Sequence, residues 1–235
     1  MIHIIGLIGL AIAPIIYLTV ILYGRDKFEP EPKRILLIAF LWGCFSIIPA
    51  IILEAIGVGL GYDISEHFIL TAIHSFIVVA LSEEICKFVM LRFHAYRHQE
   101  FNEPFDGIVY AAFVSLGFAC VENLGYVLQN GFTVGILRMF TSVPAHFSFG
   151  VIMGYYVGKA KFNSEKRLQY MTKGILYATL FHGAYDFFIM QKNEPALAIF
   201  TLVILIVGWR MSKKAILELQ SDSKFRMQKS KNTNE

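Results

Sequence analysis

Apolar residues in this chain run in long unbroken stretches rather than alternating with polar ones. The stretches cover about 4–23, 35–60, 68–91, 105–128, 136–158, 171–190 and 196–210, with short polar joints between them. Most reach the ~20 residues that a helix needs to cross hydrocarbon. The last, about 15 residues long, is the shortest. The alternating ten-residue segments of a membrane β-barrel, the other fold that can span a bilayer, are absent. The pattern predicts an all-α fold: a polytopic transmembrane helical bundle of about seven helices. One membrane domain is expected over 1–210, followed by a basic tail over 211–235. There is no internal repeat, no low-complexity segment and no separate soluble domain.

Composition supports this. The 235 residues are 56% hydrophobic and 17% charged, where a soluble domain is about a quarter charged. The mean hydropathy is +0.56. Basic residues sort the joints into two sets. Arg25, Lys27, Lys33 and Arg34 fill the first, Arg92 and Arg97 the third, and Lys159, Lys161, Lys166, Arg167 and Lys173 the fifth. Arg210, Lys213, Lys214, Lys224, Arg226, Lys229 and Lys231 mark the end of the last span and the tail. The joints at 61–67 and 129–135 carry no Lys or Arg, and 191–195 carries Lys192 alone. The alternation predicts an external N-terminus and a cytoplasmic C-terminus. The net charge of +3 then reflects topology, and no nucleic-acid partner is implied. The first span has neither a basic n-region nor a small-residue cleavage site and is expected to be retained. Cys44, Cys86 and Cys120 fall inside spans without metal-type spacing and read as small packing residues.

Charge inside hydrocarbon costs roughly 2.5–3.5 kcal/mol per residue on insertion scales, so each buried charge needs a reason. Span 3 carries Glu83, Glu84 and Lys87 in the stretch LSEEICKF. Glu83 and Lys87 stand in the favourable Glu-before-Lys order one turn apart. An ion pair with Lys87 snorkelling toward the interface would explain those two. That pair explains one glutamate only, and the second stands about 100° away around the helix. Glu122 and Asn123 lie toward the outer end of span 4, followed by Tyr126, and read either as an interfacial cap or as the rim of a site. Asp106 begins the same span and suits the helix dipole. His146 lies mid-span 5 and His182 mid-span 6, with Asp186 one turn on and on the same face. His74, on the opposite face of its helix from Glu83, is assigned elsewhere.

These residues narrow the chemistry. The chain has no G-x-S-G serine motif, no H-E-x-x-H zinc motif and no G-x-G-D aspartyl motif. Glutamates and histidines remain. A glutamate can act as general base on a water, with a histidine sharing the proton or stabilising an oxyanion. Alternatively, glutamate and the two histidines can hold a zinc with an open water position. A proton-coupled transporter with the same Glu, His and Asp residues as a relay and an intramembrane scaffold with structural ion pairs are rival readings. The repeated halves and broken helices typical of transporters are not seen.

The stretches LSEEICKF, PFDGIVYAAFVSLGFACVENLGY, PAHFSFGVIMGYYVGKAKF and LFHGAYDF together resemble the PrsW family of bacterial intramembrane proteases. The resemblance runs from the DKFEPEP loop through Asp186. PrsW-like proteins are related to the CPBP/CAAX protease group, whose pattern is E-E-x-x-x-R, F-x-x-x-H and H-x-x-x-N/D. Here Lys87 replaces the arginine and stands one residue closer, and Ser142 replaces the phenylalanine before His146. These departures fit PrsW better than the prenyl-protein branch.

The resemblance implies an intramembrane endopeptidase that makes the site-1 cut in a membrane-bound anti-sigma factor or a similar single-pass protein. It implies a multi-pass protein of the bacterial cell membrane. Its catalytic residues fall on Glu83, Glu84, His146 and His182, which are also the ligands if a metal such as zinc is used. Lys87, Glu122, Asn123 and Asp186 take supporting roles. The glutamates and histidines are expected to face one interior cavity, with Glu122 and Asn123 at its external rim.

Overall fold

The computed structural model describes residues 2–64 and 67–226. Residues 227–235 of the expected tail, with Lys229 and Lys231, lie outside the described residues. Among the described residues the chain forms seven long helices and no strand. They are α1 (Ile2–Arg25), α2 (Lys33–Gly59), α3 (Phe68–Phe93), α4 (Pro104–Phe140), α5 (Ser142–Lys161), α6 (Arg167–Ile189) and α7 (Ile199–Ser221).

Five stretches are apolar and long enough to cross a bilayer: Ile4–Arg25, Lys33–Gly59, Phe68–Phe93, Pro104–Lys161 and Pro195–Ser221. Pro104–Lys161 holds two crossings because α4 reverses direction at Gly131. That residue has φ 79° and ψ −164°, a backbone conformation open to glycine and costly for residues with a Cβ. The expected loop at 129–135 is therefore a single-residue reversal. Helix resumes to Phe140, breaks at Thr141 (φ −122°, ψ −74°) and continues as α5. The α6 helix, 23 residues long, is diluted by Lys173, His182 and Asp186 and falls short of the apolar content of the other five.

The last helix does not stop at residue 210, where the apolar run ends. It continues to Ser221 because Ser212, Ala215 and Leu219 keep one face buried. Glu218 on that extension accepts from Lys159 Nζ at 2.8 Å and from the Tyr155 hydroxyl at 2.6 Å.

The α4/α5 hairpin forms the core, and its helices meet backbone to backbone. A methyl on Gly107 would lie 2.6 Å from the Gly154 carbonyl oxygen, and one on Gly158 would run into the Pro104 carbonyl. On the other side of α4, Gly117 abuts the Phe40 carbonyl and Gly43 of α2 abuts the Val114 carbonyl. Lipid tails are as apolar as leucine, so helices in a bilayer associate through such close van der Waals contact rather than through the hydrophobic effect. Ile5, Ile16, Val20, Leu37, Phe45, Ile52 and Ile56 instead point outward from α1 and α2. An apolar surface that broad marks a lipid-facing exterior.

The basic joints gather at one end of the bundle. Lys161 Nζ donates to the Tyr96 and His98 carbonyls at 2.8 and 3.1 Å, and Lys224 Nζ to the Asn102 carbonyl at 2.9 Å. Gly131 marks the other end.

Gly117→Ala should destabilise the detergent-purified protein by about 1–3 kcal/mol, because the added methyl has no room. Gly9→Ala, where nothing lies within 4 Å, should change stability by less than about 0.5 kcal/mol. Thermal unfolding of the two variants checks this; equal losses would rule out the close-packing account.

Candidate active site

The site begins with an irregularity in α3. Residues His74–Leu81 are π-helical, and ordinary α-helix resumes at Ser82. A π stretch carries extra residue per turn and recurs at functional sites. It resets the facing of the residues that follow. Opposite it on α6 stands Gly183, where an added methyl would strike the Phe76 ring. The bare glycine lets α6 press onto α3 and brings His182 against the glutamates.

Lys87 sits at the centre. Its Nζ lies 2.9 Å from Glu83 Oε2, 2.8 Å from Glu84 Oε1 and 3.3 Å from His146 Nδ1. The Phe118 ring lies beneath it, 4.0 Å from ammonium to ring centroid. All of these side chains are buried. Lysine only donates, so His146 Nδ1 accepts and its Nε2–H donates to Glu122 Oε2 at 2.8 Å. Ser115 Oγ donates to the His146 carbonyl at 2.6 Å, fixing α5 against α4 at this level.

His182 completes the cluster. Its Nδ1 lies 2.9 Å from Glu84 Oε1; its Nε2 lies 3.3 Å from Asp186 Oδ2 and 3.8 Å from Glu83 Oε2. Phe149 stacks on the ring at a centroid distance of 5.0 Å. The two imidazoles are 5.1 Å apart, nearly perpendicular. One ligating atom from each of Glu83, Glu84, His146 and His182 falls within 4.8 Å of all the others.

The supporting residues divide. Asp186 and Lys87 join the cluster directly, and Glu122 joins it through His146. Asn123 does not face it: its Nδ2 donates to the Ala11 carbonyl at 2.8 Å, tying α4 to α1. Asp106 lies at the far end of α4, in a capping box with Glu103.

Two participants escaped the sequence reading. Arg138 Nη2 lies 2.8 Å from Glu122 Oε2, and its Nε donates to Asn123 Oδ1 at 2.9 Å. It reaches them because the segment after Gly131 folds back along α4. Glu54 of α2 lies within electrostatic reach of Glu83, Glu122, His182 and Asp186. Ala50, one turn before it, packs on Cys86 and Phe118; Gly57, one turn after, packs on Val78. Glu54 was findable by the rule that singled out Glu83, as a carboxylate inside an apolar run.

Carboxylates and imidazoles that converge inside a lipid-facing helical bundle are the groups a membrane-embedded hydrolase needs. The model of the PrsW family of intramembrane metalloproteases matches residues 31–211, and the chain belongs to that family. Proteins named Protease PrsW are similar over most of their length. That of Geobacillus kaustophilus (strain HTA426) is 37% identical over 89% of this chain and 92% of its own. That of Bacillus subtilis (strain 168) is 34% identical over 89% and 95%, and that of Clostridioides difficile (strain 630) 33% identical over 92% of each. No solved structure matches the chain. The protein is thus an intramembrane protease, and the transporter and scaffold readings fall away.

The family description implies a metal, and the donors fit one. Mixed carboxylate and imidazole ligands suit zinc. Glu84 Oε2 is buried without a hydrogen-bond partner. Both His182 nitrogens face carboxylates, so a neutral ring has a nitrogen to give up. Lys87 already bonds three of the four donor groups, so any bound cation contends with it for the same lone pairs.

Arg138→Gln and Glu122→Gln should each lower stability, and the double variant should lose less than the sum. A coupling of about 0.5–3 kcal/mol is expected for residues in one ion-pair network. Unfolding measurements on the four-protein cycle decide; additive costs would show that the pair does not act as a unit.

Proposed function

We propose that this protease makes the first cut in a single-pass membrane protein, an anti-sigma factor or a substrate of that kind, in a bacterial cell membrane. Its N-terminus lies outside and its basic end in the cytoplasm, with residues 1–210 as the protease domain. The observation that carries this reading is the convergence of Glu83, Glu84, His146 and His182 in one buried cluster.

Each residue then has a task. Glu84 takes the proton from water, since its Oε2 is the buried oxygen left without a partner. Glu83 shares Lys87 with Glu84 and lies 3.8 Å from the second nitrogen of His182. Lys87 offsets one of the two glutamate charges and fixes both rotamers. His182, oriented by Asp186 at 3.3 Å, holds or returns the proton. His146 is held in one tautomer by Glu122, which Arg138 positions in turn. Glu83, Glu84, His146 and His182 would hold a zinc ion, which when bound lowers the pKa of a coordinated water toward ~7.

Glu84→Gln and Glu83→Gln are expected to abolish cleavage of a co-expressed single-pass substrate while the protein still reaches the membrane. Gln keeps the size and hydrogen bonding but cannot take a proton, and a general base contributes roughly 10²–10⁴ in rate. His182→Ala should inactivate too, and Asp186→Asn should cost less. The measurement is cleaved product per protein in the membrane. Near wild-type cleavage in both Gln variants would sink the mechanism.

The metal is tested separately. Chelation of the purified protease should abolish cleavage, and zinc alone should restore it. Cleavage unaffected by a chelator that strips the protein of metal would leave Glu84 as an unaided base.

A further inference from the structure

A second cluster lies at the basic end of the bundle, far from the catalytic residues. The 26–32 loop and the start of α4 bring together Asp26, Glu29, Glu31, Glu103 and Asp106, and all but Glu29 are buried. Among the described residues none of the five takes part in a salt bridge. The nearby ammonium groups of Lys161 and Lys224 are engaged by backbone carbonyls instead.

Neutral donors satisfy only part of the cluster. The Tyr110 hydroxyl donates to Glu31 Oε2. Ser223 Oγ donates to Glu103 Oε2 at 2.5 Å, and the Glu31 amide to Asp26 Oδ2 at 2.8 Å. The Asn102 and Glu103 amides donate to Asp106 Oδ2 at 2.7 and 2.8 Å. Three oxygens are left over. Glu29 Oε2, Glu31 Oε1 and Asp106 Oδ1 are buried and have no hydrogen-bond partner. Orphaned buried carboxylate oxygens are costly, and native proteins satisfy such groups with a donor, a water or an ion. One oxygen from each of these three residues lies within 4.8 Å of the other two. The Glu31 and Asp106 carboxyls come within hydrogen-bond reach of each other.

We propose that Glu29, Glu31 and Asp106 form a binding site for a hard divalent cation, Mg2+ or Ca2+, that clamps the 26–32 loop to the start of α4. Three carboxylates with no imidazole or thiolate among them make an all-oxygen donor set, which selects Mg2+ and Ca2+ over zinc. The catalytic cluster has the opposite character, with two imidazoles. Pro30 and Pro32 stiffen the loop that carries Glu29 and Glu31. The site is independent of the proteolytic mechanism.

The test is thermal unfolding of the full-length protein in detergent, stripped with chelator and then given Mg2+ alone or Ca2+ alone. At a hundredfold excess over Kd, the midpoint should rise by about 5 °C or more. Glu31→Gln and Asp106→Asn should lose the rise, and Glu84→Gln should keep it. Should either of the first two fail to fold, Glu29→Gln, at a half-exposed position, should fold and lose the rise as well. Which cation gives the larger shift identifies the one that fits. No shift with either cation overturns the proposal, as does a shift that survives Glu31→Gln and vanishes in Glu84→Gln. Stabilisation by acid alone, with no response to either cation, would mean that shared protons and not a cation hold the carboxylates together.

Discussion

A lysine ammonium buried among helices cannot stand alone. Removing one partner from a buried ion pair typically costs about 3–5 kcal/mol, because the other charge is stranded. Lys87 therefore dictates its surroundings. It needs Glu83 and Glu84 on its own helix, the His146 nitrogen from α5 and the Phe118 ring from α4. Those groups meet only if α3, α4 and α5 approach closely, and Gly107, Gly154 and Gly158 permit that approach between α4 and α5. The same ammonium touches three of the four groups that would bind a metal. The protein thus carries an internal cation where catalysis calls for another, and catalytic competence depends on how the two divide the donors.

Much of this was legible in one dimension. Long apolar runs show through any packing, because the bilayer demands them of every crossing. Glu83, Glu84, His146 and His182 stood out because a polar group in such a run has no neutral explanation. The rest depended on information that hydropathy does not contain. The reversal at Gly131 rests on one positive φ, and a glycine alone does not announce it. The π stretch before Ser82 is a hydrogen-bond pattern with no signature in hydropathy, and it lies where Phe76 meets Gly183. Arg138 reads as a stray charge until the chain folds back along α4. Asn123 stood beside Glu122 and shared its reading; Arg138 holds both, yet Glu122 goes on to His146 while Asn123 reaches back to the Ala11 carbonyl.

Charges between spans are ordinarily solvated, and nothing in the sequence around Glu31 and Asp26 marks them as buried. Burial is a tertiary property. Here the Tyr110 hydroxyl reaches Glu31 from α4, and Ser223 after α7 reaches the neighbouring Glu103.

The placement of the α4/α5 hairpin bears on how the molecule is made. The hairpin is mostly enclosed, while α1, α2 and α7 show most of their surface to lipid. A helix so enclosed gains little from lipid itself and owes its place in the bilayer to its neighbours. On a ribosome, α1 to α3 emerge first and α6 and α7 last. The hairpin must therefore dock against a half-built wall, and its far side waits, uncovered, until the remaining chain has been synthesised.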